Sequence, residues 1–157
     1  MSMNKFNLFL ENTRILSDRF DIVPLLYGSL GLAYLTEDNL GANDIDILVP
    51  SVFITERWQE FKAFLETQGY ILVDEHEHTF ERDCVEYSYA DIEDLQSFVG
   101  ICREDIETHE VEGVRFLLLS LTQYLVVYQK SCKDGYRVNV RQKKDADKIK
   151  FIESKIY

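Results

Sequence analysis

Two aspartates at alternate positions, Asp44 and Asp46, form the pattern with the clearest chemical meaning in this sequence. They open an apolar segment that ends at Pro50, and strand alternation would place both carboxylates on one face, about 7 Å apart. Two like charges at that spacing repel each other. A divalent cation between them removes the repulsion, because hard cations such as magnesium take carboxylate oxygens together with substrate phosphates. The pattern therefore predicts a cation site on a strand.

A Gly-Ser pair earlier in the chain could bind the phosphates that such a cation accompanies. Residues 22–28 form a short apolar run that ends at Gly28, which is typical of a buried strand followed by a tight turn. Glycine allows a backbone to approach a phosphate closely. Ser29 is predicted to cap the next helix, whose first amides favour anions. We therefore expect Gly28 and Ser29 to seat phosphates.

Together, the two segments resemble the signature of the nucleotidyltransferase superfamily. That signature is a Gly-Ser pair, a spacer and an Asp-x-Asp motif, represented here by Gly28-Ser29, fourteen residues, and Asp44-Ile45-Asp46 followed by Ile47–Val49. The spacer is slightly longer than is usual in the superfamily. The resemblance implies transfer of a nucleoside monophosphate from a nucleoside triphosphate to an acceptor hydroxyl, with Mg²⁺ or Mn²⁺ as cofactor. Antibiotic nucleotidyltransferases and the abortive-infection toxin type carry similar patterns.

The resemblance also implies a third carboxylate on a neighbouring strand, which joins the metal site or acts as a base. Glu86 lies inside a strand predicted at 78–90, on its more polar face. Asp91 follows that strand and could instead cap a turn or helix with Asp94 three residues later. Glu86 is the preferred candidate for both roles, although the superfamily more often has an aspartate there.

The distribution of charge supplies candidates for binding the triphosphate. The chain carries a net charge of −11, and an acidic surface repels nucleic-acid backbones and anionic membranes. Residues 130–150 nevertheless hold eight basic residues against three acidic ones. Lys130 and Lys144 are predicted to contact the nucleotide, since the abortive-infection type has a lysine after the core and a Lys-Asp pair in a late helix. The alternative is a solvated helix face, which such charge runs usually are.

The order of predicted elements indicates a single α/β (α+β) domain over residues 1–157, with a core at about 20–117 and a helical tail at about 118–157. The resemblance implies a mixed β-sheet flanked by helices. Patterns of apolar residues predict the following elements: helices at 3–19, 30–35, 56–68, 120–130 and 143–154, strands at 22–28, 44–50, 70–75 and 78–90, and a hairpin-like pair at 108–117. Thr55 is predicted to cap the helix at 56–68. Several aromatic residues are predicted to be core rather than a base-stacking platform, namely Tyr87, Tyr89, Phe98, Phe116, Tyr124 and Tyr128.

The remaining expectations concern location and partners. The N-terminal sequence lacks a signal-peptide pattern and no run of about 18 apolar residues occurs, so we expect a cytoplasmic protein. The acceptor is open between a small molecule, a protein and an RNA end, and the acidic surface argues against RNA. Two other interpretations also stay open. One is a non-catalytic binding module or partner subunit with the nucleotidyltransferase fold, and the other is an unrelated α/β domain whose two aspartates are ordinary surface residues.

Overall fold

A computed structural model describes residues 2–38, 40, 43–133 and 139–156, with side chains described for 5–38, 40, 43–132 and 146–156. Seven strands and six α-helices lie in these ranges. The strands are β1 (Leu25–Tyr27), β2 (Ile45–Val49), β3 (Ile71–Asp74), β4 (Thr79–Arg82), β5 (Val85–Asp91), β6 (Glu107–Val111) and β7 (Val114–Leu118). The helices are α1 (Ser2–Phe20), α2 (Gly28–Thr36), α3 (Trp58–Thr67), α4 (Asp94–Val99), α5 (Leu121–Lys133) and α6 (Asn139–Ile156).

All seven strands form one mixed sheet, in the order β3-β4-β5-β2-β1-β7-β6. The pairs β2–β5 and β1–β7 are parallel, whereas the other neighbours are antiparallel. The predicted α/β class with a mixed sheet, flanking helices and a C-terminal helical segment is therefore confirmed. Among the described helices, none combines the length and the apolar character needed to cross a membrane.

Two helices bury one face of this sheet. Phe61 of α3 packs edge-on against Tyr89, with 5.2 Å between ring centroids, and Phe9 of α1 meets Phe116 in the same way at 5.3 Å. Ile47 lies on the same face, because it is the register partner of Tyr89, and it is fully buried there. Strand alternation sends the side chains on either side of Ile47 to the opposite face. That face carries the residues from which the site is built.

The apolar patterns predicted most elements to within a few residues, but one strand is wrong. Residues 78–90 form two antiparallel strands, β4 and β5, which are joined at Asp83 and Cys84. Both joining residues have positive φ, 54° and 65°, as a two-residue hairpin turn with the right-handed twist of its strands requires. The prediction missed this turn because neither residue is the glycine or asparagine that usually marks it.

Two predicted helix caps are also wrong. Thr55 does not cap α3, since the residue before the helix is Arg57 and the Thr55 hydroxyl donates to the Ser51 carbonyl at 2.8 Å. Ser29 does not cap α2 either, because that helix begins at Gly28 and follows the extended residue Tyr27 without a side-chain cap. The Thr55 hydroxyl thus bonds elsewhere, and Ser29 is the second residue of its helix.

Candidate active site

A row of polar side chains crosses the open face of the sheet. Asp46 is the register partner of Tyr27 on β1 and of Ser88 on β5, and Ser88 pairs in turn with Thr79 on β4. The Ser88 and Thr79 hydroxyl oxygens lie 2.8 Å apart. Asp46 is half-buried in this row. The strand therefore presents Asp46 to the face that α1 and α3 leave open, as the alternation in the sequence predicted.

The second aspartate and the preferred third carboxylate belong to the next row. Ile45 pairs with Tyr87, so the residues before them, Asp44 and Glu86, follow side by side on the same face as Asp46. Both side chains are exposed, and Glu86 also has Glu81 as its partner on β4. This end of the open face therefore collects carboxylates from three neighbouring strands or their ends.

Gly28 places the start of α2 directly against Asp46. Its φ is +69°, a conformation that side chains disfavour, and a Cβ added to it would lie 2.5 Å from Asp46 Oδ2. Only a glycine allows both the turn and this approach. Ser29 follows in the first helical turn, whose backbone N–H groups have no partner within the helix and favour an anion. The phosphate-binding role predicted for these residues is compatible with this arrangement.

Tyr124 of α5 fixes this turn from the other side. Its buried hydroxyl donates to the Gly28 carbonyl at 3.0 Å, and a Cβ at Gly31 would collide with the same hydroxyl. Burial raises the pKa of Tyr124 well above its ordinary value, and nearby Tyr128, Tyr27 and Asp46 raise it further. The phenol therefore remains a hydrogen-bond donor throughout the physiological pH range. This bond ties α5 to a turn almost one hundred residues earlier in the chain.

These features line a cleft of about 1150 Å³. Its acidic lining residues are Asp44, Asp46, Glu77, Glu86 and Asp147. Lys148 of α6 is the one lysine or arginine that lines it among the residues with described side chains. Its lining also includes the apolar and aromatic residues Tyr27, Leu40, Phe98, Val127 and Tyr128. The volume and this mixture of polar and aromatic side chains suit a small-molecule ligand.

The structure brings Glu86 to the cleft but leaves Asp91 outside it. Asp91 ends β5 beside Val49, three residues beyond the Asp46–Ser88 pair, or about 10 Å along the strand. Its Oδ1 accepts hydrogen bonds from Ser51 Oγ at 2.5 Å and from the Glu93 amide at 2.8 Å. Asp91 therefore stabilises the turn before α4, which is the structural alternative that the sequence allowed.

The two lysines predicted to contact the nucleotide, Lys130 and Lys144, differ in what the structure describes of them. Lys130 is exposed on α5 and is not among the residues that line the cleft. Lys144 lies in α6, but its side chain is outside the described residues. Lys148, one helical turn after Lys144, lines the cleft, as does its neighbour Asp147. The sequence contained this Lys-Asp pair, but the spacing of an exposed helix does not reveal which turn faces the cleft.

Two aromatic residues also have a different place from the one predicted. Phe98 is 36% exposed, Tyr128 is half-buried, and both line the cleft. Tyr128 stacks on Tyr124, with 6.1 Å between ring centroids and 13° between planes. The other aromatic residues predicted as core are buried, namely Tyr87, Tyr89, Phe116 and Tyr124. Helical spacing alone could not separate Tyr128 from these core residues.

The acidic side chains of the cleft fit the predicted cation only in part. No group of three or more His, Cys, Asp or Glu side chains in the described part of the chain is close enough to hold a metal ion. A three-carboxylate site that includes Glu86 is therefore not assembled in this conformation. Asp44 and Asp46 supply the two oxygen ligands that magnesium usually takes from a protein when substrate phosphates supply others. The fit is thus to a cation that enters with a phosphorylated ligand.

Comparison with solved structures defines the class of protein to which this fold belongs. The crystal structure of ANT(2″)-Ia in complex with adenylyl-2″-tobramycin matches 96% of this chain and 88% of that chain, with a TM-score of 0.62 and 12% identity. An antigenic nucleotidyltransferase-like protein from Paracoccidioides brasiliensis matches 93% of this chain and 73% of that chain, with a TM-score of 0.60 and 16% identity. The chain therefore has the nucleotidyltransferase fold, and the predicted resemblance is confirmed at the level of the fold.

A comparison with curated sequences gives the nearer relationship. The chain is 37% identical over 154 residues to the uncharacterized protein YnaI of Bacillus subtilis (strain 168), across 98% of this chain and 99% of that protein. It belongs to the same family as YnaI. No family model matches the sequence.

Proposed function

We propose that this protein transfers a nucleoside monophosphate from a nucleoside triphosphate to an acceptor hydroxyl, in the presence of Mg²⁺ or Mn²⁺. The observation that supports the proposal is the position of Asp46. It faces a large cleft, its carboxylate lies against Gly28 at a helix N-terminus, and Asp44 follows on the same face. This arrangement occurs within a fold shared with nucleotidyltransferases.

Each part of the cleft has a role in this proposal. The amides at Gly28 and Ser29 and the ammonium group of Lys148 bind the triphosphate, and the apolar wall with Tyr128 receives the base. Asp44 and Asp46 hold the cation, which when bound supplies charge neutralisation for the transferred phosphate and the pyrophosphate.

Glu86 is the residue that we assign to the acceptor. Its carboxylate is exposed in the cleft beside Asp44 and can take the proton of an acceptor hydroxyl as a general base. Five acidic residues line the cleft against one lysine, among the described side chains. This excess of negative charge favours an acceptor that carries positive charge, either a small molecule or a protein, and disfavours nucleic acid. A cytoplasmic location, where nucleoside triphosphates are available, is part of the proposal.

A second candidate function is a nucleotide-binding module without catalysis. It is favoured by one observation, which is that the β5 residue in register with Asp46 is Ser88, whose hydroxyl bonds to Thr79 instead of serving as a carboxylate ligand. In this alternative Glu86 is a surface residue of the cleft. The two functions share nucleotide binding and differ in turnover.

Calorimetric titration of ATP and GTP, with and without magnesium, tests the site. We expect magnesium-dependent binding that is lost in Asp44→Asn/Asp46→Asn. The control is Asp18→Asn/Asp105→Asn, which makes the same change of charge at residues that do not line the cleft. Equal binding by the wild type and the Asp44/Asp46 variant would contradict the proposed site, as would the absence of triphosphate binding to folded wild-type protein.

Transfer of labelled α-phosphate from ATP to an acceptor, with release of pyrophosphate, separates the enzyme from the module. Cationic polyols such as tobramycin, whose adenylyl derivative is bound in the ANT(2″)-Ia complex, are suitable first acceptors. We expect Glu86→Gln to lower turnover at unchanged ATP affinity, since the residue acts on the acceptor. Tight magnesium–ATP binding without transfer to any acceptor in a broad panel would favour the non-catalytic module.

A further inference from the structure

The edge strand β3 exposes apolar side chains that an edge strand normally avoids. Ile71 is 65% exposed and Val73 is 50% exposed, the highest values for large hydrophobic residues in the described part of the chain. Among the described strands, β3 ends the sheet and pairs with β4 alone. Natural proteins usually protect such edges with lysine, proline, a bulge, a short strand or a covering element, because unpaired backbone groups recruit further strands. The strand Ile71–Asp74 contains no lysine or proline, and its protection consists of its length of four residues and a register shift between Leu72 and Asp74.

Acidic residues surround this edge and continue toward the cleft. Ile71 pairs with Glu81, and Glu81 pairs with Glu86, which lines the cleft. Asp74 and Glu77 add two more exposed carboxylates at the end of β3. At the strand spacing of about 4.8 Å, the edge lies roughly 14 Å from β2 on the same side of the sheet. An apolar edge and an acidic surface therefore form one continuous region, which we call the β3 surface (Ile71, Val73, Asp74, Glu81 and Glu86).

Among the described side chains, two cations close to the β3 surface are already paired. Arg82 donates to Glu11 at 3.1 Å and to the Tyr70 hydroxyl at 3.3 Å. Lys62 approaches Glu75 at 3.9 Å. The carboxylates of Glu81 and Glu86 are thus not neutralised by these cations, and they face each other across β4 and β5. A partner that brings positive charge would relieve this repulsion, as opposite charges on paired strands do.

We propose that the β3 surface docks an extended segment of a protein partner, which adds as a strand to the edge of β3 and carries both apolar and basic side chains on one face, at every second position. The segment's backbone pairs with the free edge, its apolar side chains cover Ile71 and Val73, and its basic residues meet Glu81 and Glu86. Strand addition of this kind takes affinity from the main chain and specificity from alternate side chains. The proposal concerns binding and does not depend on nucleotidyl transfer.

Charge decides between this partner and the other candidates. Residues 68–81 contain no lysine or arginine, and each chain carries a net charge of −11. A second copy would therefore place acidic segments together. A nucleic acid would be repelled by the same carboxylates. A basic, apolar protein segment is the partner whose charge complements both the edge and the acidic row behind it.

The test uses the full chain and a defined probe. The probe is a fluorescein-labelled peptide of about ten residues in which valine and lysine take turns at every second position, with threonine between them, so that both types share one face and the peptide spans a typical strand. A matched peptide has every valine and lysine N-methylated, which keeps charge and apolar surface but removes alternate strand donors. Anisotropy titration should give saturable binding of the probe and at least tenfold weaker binding of the N-methylated peptide.

Protein variants locate the binding. Ile71→Lys/Val73→Lys should weaken binding of the probe at least tenfold. The control Val126→Lys replaces a 39% exposed residue of α5 and should change the affinity for the probe by no more than about twofold, the effect expected of one added surface charge. Glu81→Lys is a second variant of the β3 surface that preserves both apolar residues. Urea denaturation verifies that each variant folds, and hydrogen exchange should show the probe protecting residues 70–74.

Three results would overturn the proposal. The first is equal affinity for the probe and for the N-methylated peptide, which would show that binding is electrostatic adsorption without strand pairing. The second is unchanged probe binding by the β3 variants, or no saturable binding of the probe to the wild type. The third is a concentration-dependent dimer of the wild type that Ile71→Lys/Val73→Lys dissociates, since this would assign the β3 surface to a second copy. None of these measurements involves nucleotide, so failure here leaves the proposed transferase activity untouched.

Discussion

Replacement of Gly28 by alanine tests the central geometry of the site. The residue has φ +69°, and a left-handed conformation costs an L-residue about 1–2 kcal/mol. The new Cβ would also lie 2.5 Å from Asp46 Oδ2, a contact that real Cβ atoms essentially never show. The carboxylate must therefore retreat by about 1 Å to reach a separation at which atoms pack favourably. We expect Gly28→Ala to lower the stability of the fold and to displace the carboxylate of Asp46, the aspartate for which we propose cation binding.

A second glycine provides the matched control. Gly113 has φ +79° and has no atom within 4 Å of an added Cβ, so Gly113→Ala carries the backbone strain without a collision. Urea denaturation should show a loss of about 1–2 kcal/mol for Gly113→Ala and a similar or larger loss for Gly28→Ala. Calorimetry with magnesium and ATP should show at least tenfold weaker binding, about 1.4 kcal/mol, for Gly28→Ala alone.

The outcome that refutes this reasoning is specific. If Gly28→Ala binds magnesium–ATP as the wild type does while it unfolds like Gly113→Ala, then the contact with Asp46 does not matter for the ligand. The phosphate and cation sites would then lie elsewhere in the cleft. A loss of binding in both variants would instead attribute the effect to general destabilisation.

Three further predictions address other parts of the molecule. Tyr124→Phe removes the hydroxyl that donates a hydrogen bond to the Gly28 carbonyl. Because this partly buried carbonyl then lacks a donor, the free energy of unfolding measured by urea denaturation should fall by about 1–3 kcal/mol. Lys148→Ala should weaken ATP binding about tenfold in a titration, whereas Lys150→Ala, an exposed residue of the same helix outside the cleft, should not, and equal effects would reject a specific phosphate contact. The hydrogen bond from Lys155 lowers the pKa of Asp38 below its ordinary 3.8. The small stability that this pair contributes is therefore fully present above pH 3.8 and is lost as the pH falls through the lowered folded-state pKa. The difference in urea midpoint between the wild type and Asp38→Asn should therefore shrink as the pH is lowered from neutral through this range, and a difference that grows in acid would contradict the pairing.

Local patterns predicted the parts of the site that depend on a single strand or turn. The side chains of Asp44 and Asp46 share a face because alternation along a strand is a property of the backbone itself. Gly28 marks a turn because its conformation excludes most other residues. Helix bounds were similarly close, as in 3–19 against Ser2–Phe20 for α1. These features need no knowledge of what packs against them.

Features that combine distant segments were harder to predict. Asp91 and Glu86 are five residues apart on β5, and only the register with β2 shows that Glu86 follows Asp44 whereas Asp91 ends beside Val49. Tyr128 has the spacing of a core residue, and its place in the cleft depends on how α5 crosses the sheet. Sequence periodicity is the same for a residue that faces a core and for one that faces a cleft.

The sequence by itself therefore determined the arrangement of two carboxylates on a strand after a glycine turn, and through its motif it indicated the class of fold. Tertiary structure decided which other groups lie near these carboxylates. It brings Glu86 and Lys148 to the cleft, leaves Asp91 and Lys130 outside it, and places Tyr124 behind Gly28. The physical reason is that local conformation follows from steric limits within a few residues, whereas the neighbours of a site follow from strand register and helix packing, which are set by burial over the whole chain.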